Sequence, residues 1–210
     1  MQKGPLLTAD EPELPTGAGV TRPLPPHRPD GTLPPHAGTD VRFGPMDLGP
    51  YRITVTELVD TFGTTADRCA ILEGLLAHRA ALRTFDLVNG FQWLGGSFVD
   101  FIKEPKDLDL VTFFVRPRAW KDSARMRRDV GSRPDLFDPK VSKVQHRIDG
   151  YFVDVLHRVA LIRWSYHWHF LYGHDRQQNA KGFVEIPLQA PDEDREARAR
   201  LAAKRTAAAR

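Results

Sequence analysis

From Thr54 onward the apolar residues recur at helical spacing, with Val55, Leu58, Val59 and Phe62 on one side and Gly63 stopping the segment. Thr65 is placed to cap a second helix, in which Ile71, Leu72, Leu75, Leu76 and Leu82 form one stripe running to about Arg83. The period then changes. Phe91 to Gly95 is short, aromatic and apolar and runs into Gly95-Gly96-Ser97, which predicts a strand ending in a tight bend. Leu108 to Val115, reading LDLVTFFV, is apolar almost throughout, as a central strand covered on both faces should be. Arg118 to Arg128 predicts an exposed basic helix, Pro134 to Gln145 a weaker one, and Tyr151 to Leu156 a third strand. Val159 to Tyr172 predicts an aromatic-rich helix, and Phe183 to Leu188 a closing strand.

The ends of the chain follow neither pattern. Eleven of the 17 prolines fall within residues 1–50, where few large apolar side chains could offset the entropy of ordering, so this stretch is expected to be an extended or disordered arm acting as a tether. Its alternative role is to bind a partner or thread along the domain. Residues 191–210 are rich in Ala, Arg and Glu with Leu201 as the one large apolar residue, which predicts a solvated or frayed helix. The foldable unit is therefore expected to be residues 51–190.

Charge and cysteine content narrow the setting. A net charge of +3 permits polyanionic partners without establishing them. The lone Cys69 excludes an intramolecular disulfide and a multi-cysteine zinc site, and it is expected to be a buried small hydrophobe. No stretch approaches the roughly 18 apolar residues that span a bilayer, and Met1 to Asp10 lacks the apolar run of a signal peptide. A cytoplasmic protein with no membrane partner is expected.

The chemistry concentrates in GGSFVDFIKEPKDLDLVTFF. Asp107 and Asp109 are two apart at the start of a strand, so their carboxylates leave the same face and repel each other unless a cation sits between them. Mg²⁺ suits them, since it takes hard oxygen ligands and combines protein carboxylates with phosphate oxygens. Asp154 lies within the otherwise apolar YFVDVL, where an unpaired charge is costly, and it is expected to join the pair from a neighbouring strand. Gly95, Gly96 and Ser97 let backbone amides and a hydroxyl approach a phosphate. Asp149 is the other candidate for the third carboxylate, although beside Gly150 it reads as a turn residue.

Gly-Ser, a gap of about ten residues, Asp-x-Asp in a strand and a later lone Asp together resemble the DNA polymerase beta-like nucleotidyltransferase superfamily. More narrowly, GGSFVDFIKEPKDLDLV and the closing Trp168, Phe170, Gly173 and KGFVEIPL resemble its minimal stand-alone bacterial members, over roughly residues 53–188. The resemblance implies an α+β fold with a small mixed sheet flanked by helices. It also implies transfer of a nucleoside monophosphate from an NTP or dNTP to a hydroxyl acceptor. Carried over by position, Asp107, Asp109 and Asp154 would hold Mg²⁺, with Mn²⁺ as the substitute, and act in catalysis. Gly95, Gly96 and Ser97 would contact the triphosphate, with Lys103 and Lys181 as further phosphate contacts. Implied acceptors are a nucleotide or oligonucleotide, a tRNA, or a protein encoded next to it, in an antiphage defence or toxin–antitoxin module. Asp100 departs from the pattern, since it adds a negative charge where a small or hydroxyl residue is usual.

Competing readings attach to several of these residues. A catalytically silent interaction protein could keep the fold, and a metal-dependent nuclease shares the carboxylates but leaves the glycine turn unexplained. His167 and His169, two apart on a helix, point about 200° apart and make no zinc site. Trp164 and Trp168 could stack a base but at that spacing are expected in the core. Lys121, Arg125, Arg127 and Arg128 form a basic face expected near the active site, where they could guide an oligonucleotide or simply be solvated.

Overall fold

Local capping fixes where the folded body begins. The Thr54 hydroxyl accepts the Glu57 amide while the Glu57 carboxylate accepts the Thr54 amide, a reciprocal cap that opens α1 (Val55–Phe62). The Gly63 amide closes it on the Val59 carbonyl. Thr65 caps α2 (Ala66–Arg83) in the same way through the Arg68 amide. The structure is a computed structural model and describes residues 24–36 and 49–208.

Five strands form one mixed sheet: β1 (Tyr51–Arg52), β2 (Gly90–Gly95), β3 (Leu108–Phe114), β4 (Ile148–Asp154) and β5 (Val184–Pro187), in the order β1-β5-β2-β3-β4. β2 is antiparallel to both β3 and β5, whereas β3 with β4 and β1 with β5 run parallel. The remaining helices are α3 (Ser123–Ser132), α4 (Pro134–Phe137), α5 (Pro139–His146), α6 (Arg158–Tyr172) and α7 (Pro191–Ala208). The architecture is α+β, a small mixed sheet flanked by helices.

Strand alternation sends side chains to two faces. One face carries Leu94, Leu108, Leu110, Ile148 and Val184 into a large core with α1, α2 and α7. The other carries Trp93, Val111, Phe113 and Val153 against Trp168 and Tyr172 of α6. Cys69 is buried and unpaired, as its lone occurrence implies. Among the described residues no helix is long and apolar enough to cross a membrane.

Four elements differ from the sequence pattern. The basic helix begins later than expected, because Trp120 is buried in a short 3-10 turn (Arg118–Lys121) and Asp122 then caps α3. The Pro134–Gln145 stretch is two helices, divided where Asp138 caps α5 with Pro139 at its first position. The C-terminal stretch is no solvated tail. Ala197 and Leu201 of α7 are buried in the main core, and Asp194 is 1% exposed between Arg79 and Arg83.

Nor is the arm a free tether over residues 24–36. Leu33 is fully buried, the Gly182 amide donates to the Leu33 carbonyl and the Tyr51 hydroxyl to the Pro34 carbonyl. This segment threads along the domain, the alternative role noted for it. The rest of the arm, residues 1–23 and 37–48, lies outside the described residues.

Candidate functional site

Register places the chemistry. Gly95 at the end of β2 pairs with Asp109 of β3, and Asp109 pairs with Asp149 of β4. Adjacent strands lie about 4.8 Å apart, so the three form one row across the sheet on the α6 face. Asp107, two residues before Asp109, joins the row from the entry to β3. Lys143 reaches in from α5, with its ammonium 2.5 Å from Asp107 Oδ2 and 3.3 Å from Asp149 Oδ2. Burial, then the charges of Asp107 and Asp149, push the Asp109 carboxyl up to about 6. The hydrogen bond that Lys143 donates to Asp107 raises the lysine in turn.

The glycines are needed for close approach. Gly96 has φ +66°, and a Cβ there would stand 1.6 Å from Asp109 Oδ2. A Cβ on Gly95 would lie 2.3 Å from Cγ of Tyr172, whose ring closes over the turn from the last residue of α6. The Tyr172 hydroxyl is buried without a hydrogen-bond partner among the described residues. Burial, then Asp109 and Asp149, hold that phenol well above its ordinary value. Ser97 follows Gly96 in a half-buried 3-10 turn (Gly96–Phe98).

Lys181 explains Asp100. Its ammonium donates to Asp100 Oδ2 at 2.5 Å and to the Gly96 carbonyl at 3.0 Å, and both side chains are buried. The carboxylate that looked out of place is the counter-charge that holds Lys181 against the glycine turn. Arg68 of α2 supports the same loop from within, donating to the carbonyls of Phe98 at 2.8 Å and Asp100 at 2.6 Å. The arm fastens it from outside. The Phe101 amide donates to the Gly31 carbonyl, His27 Nε2 meets the Val99 carbonyl, and Arg28 donates to the Ala180 carbonyl beside Lys181. Lys103 lies on an exposed bend and makes no hydrogen bond or ion pair that ties it to the row.

Asp154 is not the third carboxylate of this row. It pairs with Phe114, five positions along β3 from Asp109, which is about 16 Å at 3.3 Å per residue. Five is odd, so the pleat also turns Asp154 to the opposite face. Its charge is met by Arg116 at 2.6 Å, which answers the cost of burying it. Asp149 takes the place in the row because β4 begins at Ile148, and the Asp149-Gly150 pair read as a turn is already strand.

With that geometry in place, comparison with known proteins adds one match. Residues 25–187 fit the model of a family of unknown function, DUF6932. The chain belongs to that family. No curated protein and no solved structure matches it. The DUF6932 match begins at Pro25, in the docked part of the arm, and ends at Pro187, the last residue of β5. It therefore takes in every residue of the row.

The donor set of this DUF6932 chain fits a hard divalent cation in its chemistry, since three carboxylates share one row of the sheet; Asp109 among them is raised by burial first and then by the charges of Asp107 and Asp149. As placed, the Lys143 ammonium occupies the space between Asp107 and Asp149. Among the described residues no three His, Cys, Asp or Glu side chains form a ready-made metal site. Lys143 is half exposed on a flexible stem, so it can leave.

Lys143 and Tyr172 were missed in the sequence. Tyr172 had a usable signal, since Leu161, Ser165, Trp168 and Tyr172 repeat at helical spacing on the side of α6 turned to the sheet. Lys143 had none, as only the crossover from β3 to β4 brings it to the row. Trp168 is core, as expected, but Trp164, expected there with it, is 48% exposed because it stands toward the edge of the side of α6 that meets the sheet; Tyr151 packs on Trp168 with ring centroids 4.8 Å apart. The basic face is not beside the row. α3 packs through Met126 and Val130 on the cluster around Phe114 and Trp120, at the other end of β3.

Proposed function

We propose that this protein is a metal-dependent nucleotidyltransferase that moves a nucleoside monophosphate from an NTP or dNTP to a hydroxyl acceptor. One observation carries the reading: the positive-φ Gly96 turn, Asp109 and Asp149 lie on three adjacent strands in one row, with Asp107 beside them. The resemblance of the Gly-Gly-Ser and Asp-x-Asp segments to the polymerase beta-like core supports it independently.

Asp107, Asp109 and Asp149 would hold Mg²⁺ or Mn²⁺, which when bound supplies the positive charge that lets carboxylates and a triphosphate share one site. The chain's own residues do the rest. Gly96 and Ser97 seat the triphosphate, and Lys181, fixed by Asp100, sets its charge beside that turn. Lys143 leaves the carboxylates and becomes free to meet a phosphate oxygen. The acceptor oxygen bonds to the α-phosphorus, the bond to the β-phosphate oxygen breaks, pyrophosphate leaves, and Asp149 takes up the hydroxyl proton. The implied defence or toxin–antitoxin setting, and a neighbouring protein or tRNA as acceptor, rest on the resemblance alone.

A second reading is favoured by one observation. Lys143 neutralises Asp107 and Asp149 without any metal, as a catalytically silent chain that binds a partner would be satisfied to leave it. The two readings part in one assay. The purified chain is incubated with Mg²⁺ or Mn²⁺ and each common NTP and dNTP, with and without total tRNA, and pyrophosphate release is followed. Metal-dependent release absent from Asp107→Ala/Asp109→Ala supports the transferase. No release and no metal-dependent nucleotide binding support the silent protein.

A further inference from the structure

Two lysines meet the candidate site, and they are held in opposite ways. Lys181 is buried, with its ammonium divided between Asp100 Oδ2 and the Gly96 carbonyl, which fixes it in place. Lys143 is half exposed, and its ammonium lies 2.5 Å from Asp107 Oδ2 and 3.3 Å from Asp149 Oδ2. Among the described residues it is the one cation in an ion pair with the row, a single positive charge beside three carboxylates. Its root is fixed although its head is not. Ser142 next to it is fully buried, and α5 runs so close to α2 that a Cβ on Gly74 would stand 1.9 Å from the His146 carbonyl oxygen. A flexible four-carbon stem on a seated helix lets the ammonium swing away and return without backbone movement.

We infer, building on the carboxylate site proposed above, that Lys143 is a resident counter-charge that makes this site admit a divalent cation complexed to a polyphosphate in preference to the bare cation. A bare cation that takes the carboxylates displaces the ammonium into water, and the ion pairs to Asp107 and Asp149 are lost with nothing in exchange. A cation carrying a polyphosphate brings the exchange with it, because its phosphate oxygens give the displaced ammonium new charged acceptors beside the row. Cation and polyphosphate therefore each bind more tightly in the other's presence, and the coupling runs through one side chain. Tyr172 supplies a second reason. It is 3% exposed, its hydroxyl has no hydrogen-bond partner among the described residues, and it lies near enough to Asp109 and Asp149 to feel both charges. A phosphate oxygen answers a donor left open beside the row, and a cation does not.

Equilibrium dialysis of the full chain against Mn²⁺, with and without inorganic tripolyphosphate, tests this and needs neither turnover nor a known base. Wild type is expected to retain bare Mn²⁺ weakly and to gain about tenfold or more in Mn²⁺ affinity when tripolyphosphate is present. Lys143→Gln is expected to hold bare Mn²⁺ about tenfold tighter than wild type and to gain several-fold less from tripolyphosphate, while Lys143→Arg follows wild type. A lysine that only braced α5 against the sheet would not tighten metal binding when removed, and its half-exposed position leaves the variants folded, as circular dichroism checks. Bare-Mn²⁺ affinity in Lys143→Gln equal to or below that of wild type, with both above Asp107→Ala/Asp109→Ala, would overturn the inference and leave the metal site standing. Retention no better than that of the double variant in wild type and Lys143→Gln, with and without tripolyphosphate, would overturn the site and the inference together.

Discussion

β3 shows its alternate residues to two different environments. Leu108, Leu110 and Thr112 enter the face sealed by α1, α2 and α7, where even the charges are internal. Arg79 is fully buried there, bonded to Asp194 at 2.9 Å, to Gln92 and to the Pro187 carbonyl, and Gln92 passes the network on to Thr112. Asp109, Val111 and Phe113 enter the other face, covered among the described residues by α6 and Phe183, where the charges are alike and imperfectly offset. A buried group with every partner supplied serves the fold. A cluster of carboxylates that the fold leaves short of positive charge is poised for something brought from outside.

Substitutions on the two faces should therefore have opposite consequences. Asp194→Ala strands the Arg79 charge in the core and is expected to cost about 3–5 kcal/mol in urea unfolding. Asp109→Ala removes one of three like charges and is expected to leave stability unchanged or raised, while abolishing any metal-dependent nucleotide chemistry. A large stability loss from Asp109→Ala, or none from Asp194→Ala, would break the contrast.

The sealed face also has its own pH dependence. His78, on α2, is fully buried, and burial lowers it to about 4. The folded value lies below the unfolded value near 6.5, so its contribution is fully present above about pH 6.5 and is lost as pH falls toward 4, by about 3 kcal/mol. Urea titrations across that window on wild type and His78→Leu should show a flatter profile for the variant; equal slopes would sink the assignment. Smaller again, Gly96→Ala forces a side chain into positive φ and onto Asp109, with an expected cost of about 1–3 kcal/mol by thermal melting. Smallest is Arg28→Ala, which removes one exposed bond from the arm to the Ala180 carbonyl and should cost under about 1 kcal/mol, the amount set by calorimetry.

Local signals made much of this legible in advance. Thr54, Gly63 and Thr65 marked helix ends through their own hydrogen bonds, and the apolar run of LDLVTFFV marked the central strand. What stayed hidden depended on contacts distant in sequence. Leu33, Ala197 and Leu201 sit in segments too polar or too proline-rich to read as core, and each is buried because the rest of the chain has already built a surface for it. The third carboxylate turned on strand register, which no single strand's pattern contains. Asp154 looked costly to bury because Arg116, its partner, lies at the end of another strand. The four residues from Asp107 to Leu110 announced the site, and the parallel pairing of β3 with β4 decided which aspartate completes it.

Metal-dependent nucleotide binding tests whether Asp149, and not Asp154, completes the site. Binding of each common NTP and dNTP would be titrated with and without Mn²⁺ on wild type, Asp149→Asn and Asp154→Asn. Binding is expected to require the metal in wild type, to survive in Asp154→Asn and to be lost in Asp149→Asn. Loss in Asp154→Asn with retention in Asp149→Asn, or no metal-dependent binding in the wild type, would contradict it.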